Sequence, residues 1–332
     1  MDNNIDFIVT WVNGGDPDWL KKKNKYLPVN ESNENMNSES RYRDFDIFKF
    51  WFRAVEKFAP WVHKIYLITD NQVPDWLDTR NSKLTVIDHR DIMDADWLPT
   101  FNSNAIELNA YKIKNLSEKF VLFNDDTILN SYVDKVDFFD ENYPKDIYVE
   151  SPIMATKGSV DHIMVNNVEI INEFFEKKNF YKKNLTKVFN PKIGIKLLRT
   201  LALLPSSKFA GFWNSHLPIS YNKTTFETVW SNCEGKLVAT SKNKFRTAYD
   251  VSHWLMRYWQ LASGNYHLQN NIGKVYDLSS QNIDEVVTQL QRSHSKIICL
   301  NDNDELDDYE GVKGKLVTTL NEKFSEKSKF EL

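Results

Sequence analysis

Two adjacent carboxylates, Asp125 and Asp126, directly follow an apolar run ending in Phe123-Asn124, and they are the sharpest chemical signal in the sequence. Acids held together at a strand terminus can hold a hard cation that also bridges a diphosphate. Mg2+ (or Mn2+) suits such a site, because it takes a few carboxylates plus phosphate oxygens and water. The same residue types also build an ordinary capped turn. A second signal, Thr10-Trp11-Val12-Asn13-Gly14-Gly15-Asp16-Pro17, follows another short apolar run. Its glycines admit close approach of a ligand, and Trp11 offers a flat face for a base or a sugar. The motif lacks the Gly-Lys-Ser/Thr ending of a phosphate loop, and a plain tight turn has the same residues. His216 and Arg246 stand outside any apolar stripe. Phosphoryl transfer uses such groups, a guanidinium to neutralise equatorial oxygens and an imidazole to give or take a proton. Singly, each is also a common surface residue, and His63, His89 and His162 read as structural. Asp302 and Asn303 open an acidic run that fails as a calcium loop, since Leu306 takes a ligand position and no glycine follows it where the loop must turn sharply.

The elements that must hold these residues follow from apolar periodicity. Short apolar runs at 5–10, 64–69, 84–88, 120–124 and 296–300 predict buried strands. Phe48, Trp51, Phe52 and Val55 recur at helical spacing, predicting a helix from Asp44, as N-cap, to Phe58 before Pro60. Helices are also predicted over 103–115, 247–261, 283–292 and 316–324, and a loop over 21–40, where apolar residues are scarce. Alternating strands and helices predict an α/β fold with a mostly parallel, nucleotide-binding-type sheet flanked by helices. Ligands bind at the strand ends of such sheets. Between Lys177 and Lys208 lie nine basic residues and no acidic one, interleaved with Leu197, Leu198, Leu201, Leu203 and Leu204. This segment reads as a basic helical insert, 165–210, between residues 1–164 and 211–332 of one catalytic domain. Its basic face is either solvated or rests on anionic lipid.

Composition narrows the classes. A net charge of −4 argues against a nucleic-acid partner. Two distant cysteines, Cys233 and Cys299, supply neither a disulfide framework nor a cysteine zinc site. The first residues show no basic start followed by an apolar run, and no apolar stretch approaches the roughly 20 residues needed to cross a bilayer. The expectation is a cytoplasmic protein. An aromatic content of 14% fits carbohydrate or nucleotide clefts, and equally an aromatic core.

Taken together, the motifs resemble the Stealth family of capsular-polysaccharide hexose-1-phosphate transferases, which is related to the animal enzyme that tags lysosomal glycans with N-acetylglucosamine-1-phosphate. Ile5 to Gly14 with Asp16-Pro17 and Trp19 matches the first block of that family. Arg41-Tyr42-Arg43-Asp44, Ala59-Pro60-Trp61-Val62, Lys64 to Asp70, Gln72-Val73-Pro74, Leu98 to Ser103, Ala105-Ile106-Glu107 and Asn124-Asp125-Asp126 match the second. His216-Leu217-Pro218 with Phe245-Arg246 and Asp250 is similar to the third, and Cys299 to Asn303 to the fourth. One departure is Asp46-Ile47-Phe48-Lys49, where the family often has an acidic residue followed by Leu-Arg.

The resemblance implies attack by a glycan hydroxyl on the phosphorus nearest the sugar of a UDP-sugar, with UMP leaving and a phosphodiester forming. Asp125 and Asp126 would sit at the metal and diphosphate, His216 and Arg246 at the transferred phosphate, with either Asp126 or His216 as base. Trp11, Asn13 and Asp16 would cradle the nucleotide, Asn102 and Glu107 would orient sugar or acceptor, and Asp302 and Asn303 would close the site. The partners implied are a UDP-sugar and a glycan acceptor, soluble or lipid-linked, with the inner membrane face as a peripheral contact. Two other readings are a metal-dependent glycosyltransferase that releases UDP and a non-catalytic carbohydrate-binding module.

Overall fold

The computed structural model describes residues 3–27, 35–302 and 304–332. The first half runs β1 (Ile5–Thr10), α1 (Pro17–Tyr26), α2 (Phe48–Phe58), β2 (Ile65–Thr69), β3 (Leu84–Asp88), α3 (His89–Ile92) and α4 (Ser103–Asn109). Then come β4 (Lys119–Asn124), β5 (Thr127–Leu129), α5 (Lys135–Phe138), β6 (Phe139–Asp140) and β7 (Tyr143–Asp146). Next are α6 (Asp161–Phe174), α7 (Lys177–Val188), α8 (Leu197–Ala202), β8 (Ile219–Asn222), α9 (Lys223–Lys242) and α10 (Trp254–Ser263). The chain continues through β9 (His267–Leu268), β10 (Gly273–Asp277), α11 (Ile283–Arg292), β11 (Ile297–Asn301) and α12 (Tyr309–Lys323).

The fold is α/β. Its main sheet has the order β3-β2-β1-β4-β8, parallel throughout except for β8, which runs antiparallel to β4. β1 is buried on both sides, and its alternation divides the molecule. Ile5, Phe7 and Val9 pack with α2, α11 and α12, whereas Ile8 joins Phe120, Leu122 and the residues of α4, α9 and α10. The polar Asp6 on this strand is fully buried and satisfied, accepting from the Ser117 amide at 2.7 Å and pairing with His63 Nδ1 at 2.8 Å. Strand order reverses between β1 and β4, and Thr10 lies opposite Asn124 in register. A crevice at the carboxyl ends of these two strands is where this topology binds ligands. A second sheet, β10-β11-β5, adds the C-terminal contribution: the Leu300 amide donates to the Asp126 carbonyl at 2.9 Å.

Several expected boundaries differ from those observed. The 21–40 segment is helical to Tyr26, because Asp16 caps α1 by accepting from the Asp18 and Trp19 amides, and short 3-10 turns occupy Asn35–Asn37 and Glu39–Tyr42. Residues 28–34 lie outside the described ones. α2 begins at Phe48, with Ile47 rather than Asp44 at its N-cap, because Asp44 lines the crevice instead. α10 begins at Trp254, not 247. Asp250 ahead of it is a buried hub that accepts from Asn102 Nδ2, Asn243 Nδ2 and the Thr247 amide at 2.7, 2.6 and 3.1 Å, which pulls the chain out of helical geometry. α12 starts at Tyr309, capped by Asp308.

Candidate active site

At the carboxyl ends of β1 and β4 lies a cavity of about 310 Å³. Its wall includes Thr10 and Trp11 at the end of β1, Asn124, Asp125 and Asp126 at the end of β4, and Asp302 after β11. Arg41, Arg43 and Asp44 from the turn before α2, Glu107 from α4, His216, Arg246 and His253 complete it. Residues separated by most of the sequence therefore face one volume.

The acids crowd one another. Burial first, then the neighbouring charges of Asp126 and Asp44, raise the Asp125 pKa well above the usual carboxylate range. Asp126 is raised too, by burial, against the pull of a 3.0 Å hydrogen bond from Thr127 Oγ1 and the charge of His216. Adjacent carboxylates pushed toward protonation are the charge pattern that a divalent cation relieves. Among the described residues, no three His, Cys, Asp or Glu side chains gather to hold a metal by themselves. The pair thus fits an ion that completes its shell with phosphate oxygens and water, as Mg2+ does.

Opposite stand the cations. Arg246 is anchored through Nη2 to Ser103 Oγ at 2.6 Å and through Nη1 to the Met36 carbonyl at 3.1 Å. Arg41 keeps an exposed surface toward the cavity, and desolvation followed by the like charge of Arg246 holds its pKa down. Two guanidiniums that line one cavity and repel each other are stabilised by an anion bound there. Arg43 makes a bidentate pair with Asp302, both bonds at 2.7 Å, which ties the turn before α2 to the end of β11.

His216 is exposed into the cavity from a left-handed backbone conformation, φ 48°. Such a φ is costly for a residue with a Cβ and persists only where the surroundings impose it. Here they do. Arg257 Nη1 donates to the Trp213 carbonyl at 3.1 Å and to Asn214 Oδ1 at 2.9 Å, while its other donors grip the buried Asp146 at 2.7 and 2.8 Å.

A second proton-bearing group lines the same cavity. Glu107 is buried, and desolvation pushes its pKa up to about 7, against the opposing charge of Arg246. His253 Nε2 lies 3.5 Å from Glu107 Oε2, and Tyr221 OH is 2.9 Å from His253 Nδ1 and 3.0 Å from the His253 carbonyl. Burial pushes the His253 pKa down to about 3, so its ring is neutral at physiological pH. A self-consistent proton assignment has Tyr221 donating to the carbonyl and Nδ1–H donating to Tyr221. That leaves the Nε2 lone pair to face a protonated Glu107.

Of the residues singled out in the sequence, Trp11, Glu107, Asp125, Asp126, His216, Arg246 and Asp302 line the cavity. Trp11 already stacks one face on Phe48, with centroids 5.5 Å apart. Asn13, Asp16 and Asn102 do not line it. Gln72 bonds the Asn13 amide and carbonyl and Asp16 Oδ2, and Asn102 caps α4 while donating to Asp250, so these three hold neighbouring backbone in place. Asn303 lies outside the described residues. The sequence gives no site role to His253, whose neighbours read as an aromatic helix, none to Arg41 or Arg43, and marks Asp44 only as a helix cap. His89, read as structural, lines the cavity with its buried Nδ1 unpartnered among the described residues.

Paired acids, paired guanidiniums and an imidazole around one cavity in an α/β sheet are the apparatus of a group-transfer enzyme, and this protein is a transferase. Residues 3–28 match the model of Stealth protein conserved region 1, and residues 41–147 that of conserved region 2. The chain is 47% identical over 328 residues to the capsular polysaccharide phosphotransferase WcwK of Streptococcus pneumoniae, covering 98% of both chains. It is 42% identical to the exopolysaccharide phosphotransferase cps2G of Lactiplantibacillus plantarum, over 98% of this chain and 96% of that one. It is 41% identical to the receptor polysaccharide phosphotransferase WefC of Streptococcus oralis, over 99% of this chain and 100% of that one. The chain belongs to the Stealth family. Among solved structures, the galactosyltransferase LgtC aligns over 98% of both chains with a TM-score of 0.40 and 8% identity, too slight a likeness to bear on function.

Proposed function

We propose that the protein transfers a hexose-1-phosphate from a UDP-sugar to a hydroxyl of a glycan acceptor, forming a phosphodiester and releasing UMP, in surface polysaccharide synthesis. The observation that carries this reading is the convergence of Asp125, Asp126, His216, Arg41 and Arg246 on one cavity. The phosphotransferase names of relatives matched from end to end support it.

In the proposed reaction the acceptor oxygen attacks the sugar-bearing phosphorus in line with the bridging oxygen of the diphosphate. An O–P bond forms, the bridging P–O bond breaks, and UMP leaves with that electron pair. Little covalent chemistry falls to the protein, which positions the reactants and neutralises charge. Arg246 and Arg41 take the equatorial oxygens. Mg2+ or Mn2+ held by Asp125 and Asp126 would supply charge neutralisation at the diphosphate. With those carboxylates committed there, the exposed imidazole of His216 receives the acceptor proton. Trp11, which lines the cavity, contacts the uridine or the sugar, and Glu107 hydrogen-bonds a sugar hydroxyl.

We further propose that the acceptor is lipid-linked and that transfer takes place at the cytoplasmic face of the membrane. Among the described residues, no helix is long and apolar enough to span a bilayer. The test is to incubate purified protein with Mg2+, a panel of UDP-sugars and glycan acceptors, lipid-linked and free, and to identify the nucleotide released. UMP appearing one-for-one with a phosphodiester is expected, whereas UDP would replace this reading with ordinary glycosyl transfer.

A further inference from the structure

α8 is amphipathic in the wrong sense for a solvated helix. Its polar Thr200 is fully buried, with Oγ1 accepting the Glu150 amide at 3.0 Å. Leu198 and Ala202, four residues apart and therefore on one face, are exposed, as are Leu201 beside them and Leu204 just beyond. Leu198 is 61% exposed, and Ile195, in the turn before it, 82%. Arg199 Nη1 donates to Ser151 Oγ at 3.0 Å, and Met154, three residues further along the chain, is 78% exposed. Apolar side chains gathered outward in this way mark an interaction surface.

The surface is held out deliberately. Lys177 is buried, pairs with Glu150 Oε2 at 2.9 Å and donates to the Leu203 carbonyl at 2.7 Å, closing the C-terminal end of α8. Tyr148 donates to the same carboxylate at 2.9 Å, and Tyr181 also bonds it. Within this segment the charge has one sign: Lys192, Arg199 and Lys208 are exposed, and the sequence carries no acid from 177 to 208. An apolar face with cations interleaved along its own segment matches a leaflet of anionic phospholipid, with side chains entering the acyl boundary and bases meeting headgroups.

We infer that α8 and the turn before it form a membrane-docking platform that seats the enzyme on an anionic phospholipid surface through Ile195, Leu198, Leu201 and Leu204. The inference extends the proposal of a lipid-linked acceptor, and the platform gives that acceptor a reason to be near the cavity. The pocket-lining Val160, Ile163 and Met164 belong to the start of α6, a few residues beyond Met154.

The test is flotation of the full chain with vesicles of phosphatidylcholine, with and without phosphatidylglycerol, in the absence of nucleotide. Wild-type protein is expected to float with the anionic vesicles only, and less as salt rises. The double variant Ile195→Ser with Leu198→Ser should bind at least about tenfold more weakly. Lys192→Glu should weaken binding about tenfold at low salt and little at high salt. Since all three side chains are exposed, thermal midpoints and circular dichroism should match wild type. Failure of wild type to float, or equal flotation of the double variant, overturns the inference. So does a wild-type dimer in solution that the double variant converts to monomer without any vesicle binding, since a second copy would then cover the face. Vesicle binding by a protein that releases no UMP would sink the proposed reaction and leave the platform standing.

Discussion

Glu107 illustrates how burial turns an ordinary side chain into a functional one. Its pKa rises from 4.5 to about 7, so its protonated form is favoured in the folded protein. The stability this contributes is complete below about pH 4.5 and is lost as pH rises to about 7, where the buried group must ionise. Glu107→Gln removes that titration. The variant should therefore gain on wild type across this window, by up to about 3 kcal/mol at 1.36 kcal/mol per pKa unit, and gain no more above it. Urea denaturation of ligand-free protein at about pH 5 and about pH 8 checks this, and an equal difference at the two values would refute it. His216 and Arg246 act on the reacting phosphate instead. His216→Ala should lower kcat by about 10³-fold with the thermal midpoint unchanged, because the imidazole is exposed. Arg246→Ala should lower transfer comparably and also cost some stability, because it loses bonds to Met36 and Ser103. Near wild-type turnover in either variant contradicts the assignment.

At the level of elements, the site depends on how connecting segments are pinned. Gly14 lies so close to the turn before α2 that a Cβ there would stand 1.9 Å from the Tyr42 carbonyl oxygen. Gly14→Ala must push that turn, and Arg41 and Arg43 with it, away from β1. The expected result is a loss of about 2 kcal/mol and a raised KM for the donor, measured by denaturation and by initial rates. Arg257 does the same for the His216 loop. Arg257→Met strands Asp146 without its partner inside the protein and should cost about 3–5 kcal/mol. The basic segment behaves less uniformly than its composition suggests. Lys177 is buried, Lys187 donates to the Gly264 and Tyr266 carbonyls, and Lys196 lies 3.5 Å over the Trp213 ring. One run of like charge therefore serves anchoring and display at once.

For the molecule as a whole, the cavity is assembled from both ends of the chain, between Thr10 and Asp302. A ligand that bridges these walls stabilises the whole fold. UDP with Mg2+, each at about 100 times its dissociation constant, should add about 3 kcal/mol to unfolding, and chelation of the metal should remove most of that gain. No shift in midpoint with UDP and Mg2+ would argue against nucleotide binding in this cavity.

Much of this was legible in the order of residues. Short apolar runs, with turn residues after them, mark β1, β2, β3, β4 and β11, because a buried strand needs continuous apolar content whatever lies around it. The acids at 125 and 126 and the glycines at 14 and 15 stand where those runs stop, so the chemistry at each strand end could be read locally. Which side chains face the cavity could not. Asn13, Asp16 and Asn102 have the types of ligand contacts yet are spent on capping and hydrogen bonds, whereas His253 and Arg41 reach the cavity unannounced. Helix starts at Phe48 and Trp254 were likewise set by distant partners: the cavity claims Asp44, and Asp250 serves Asn102 across the fold. Local pattern determines whether a segment is strand, helix or turn, since those preferences act over a few bonds. Proximity across hundreds of residues, and the desolvation that moves a carboxyl to about 7, exist only once the chain has closed around them.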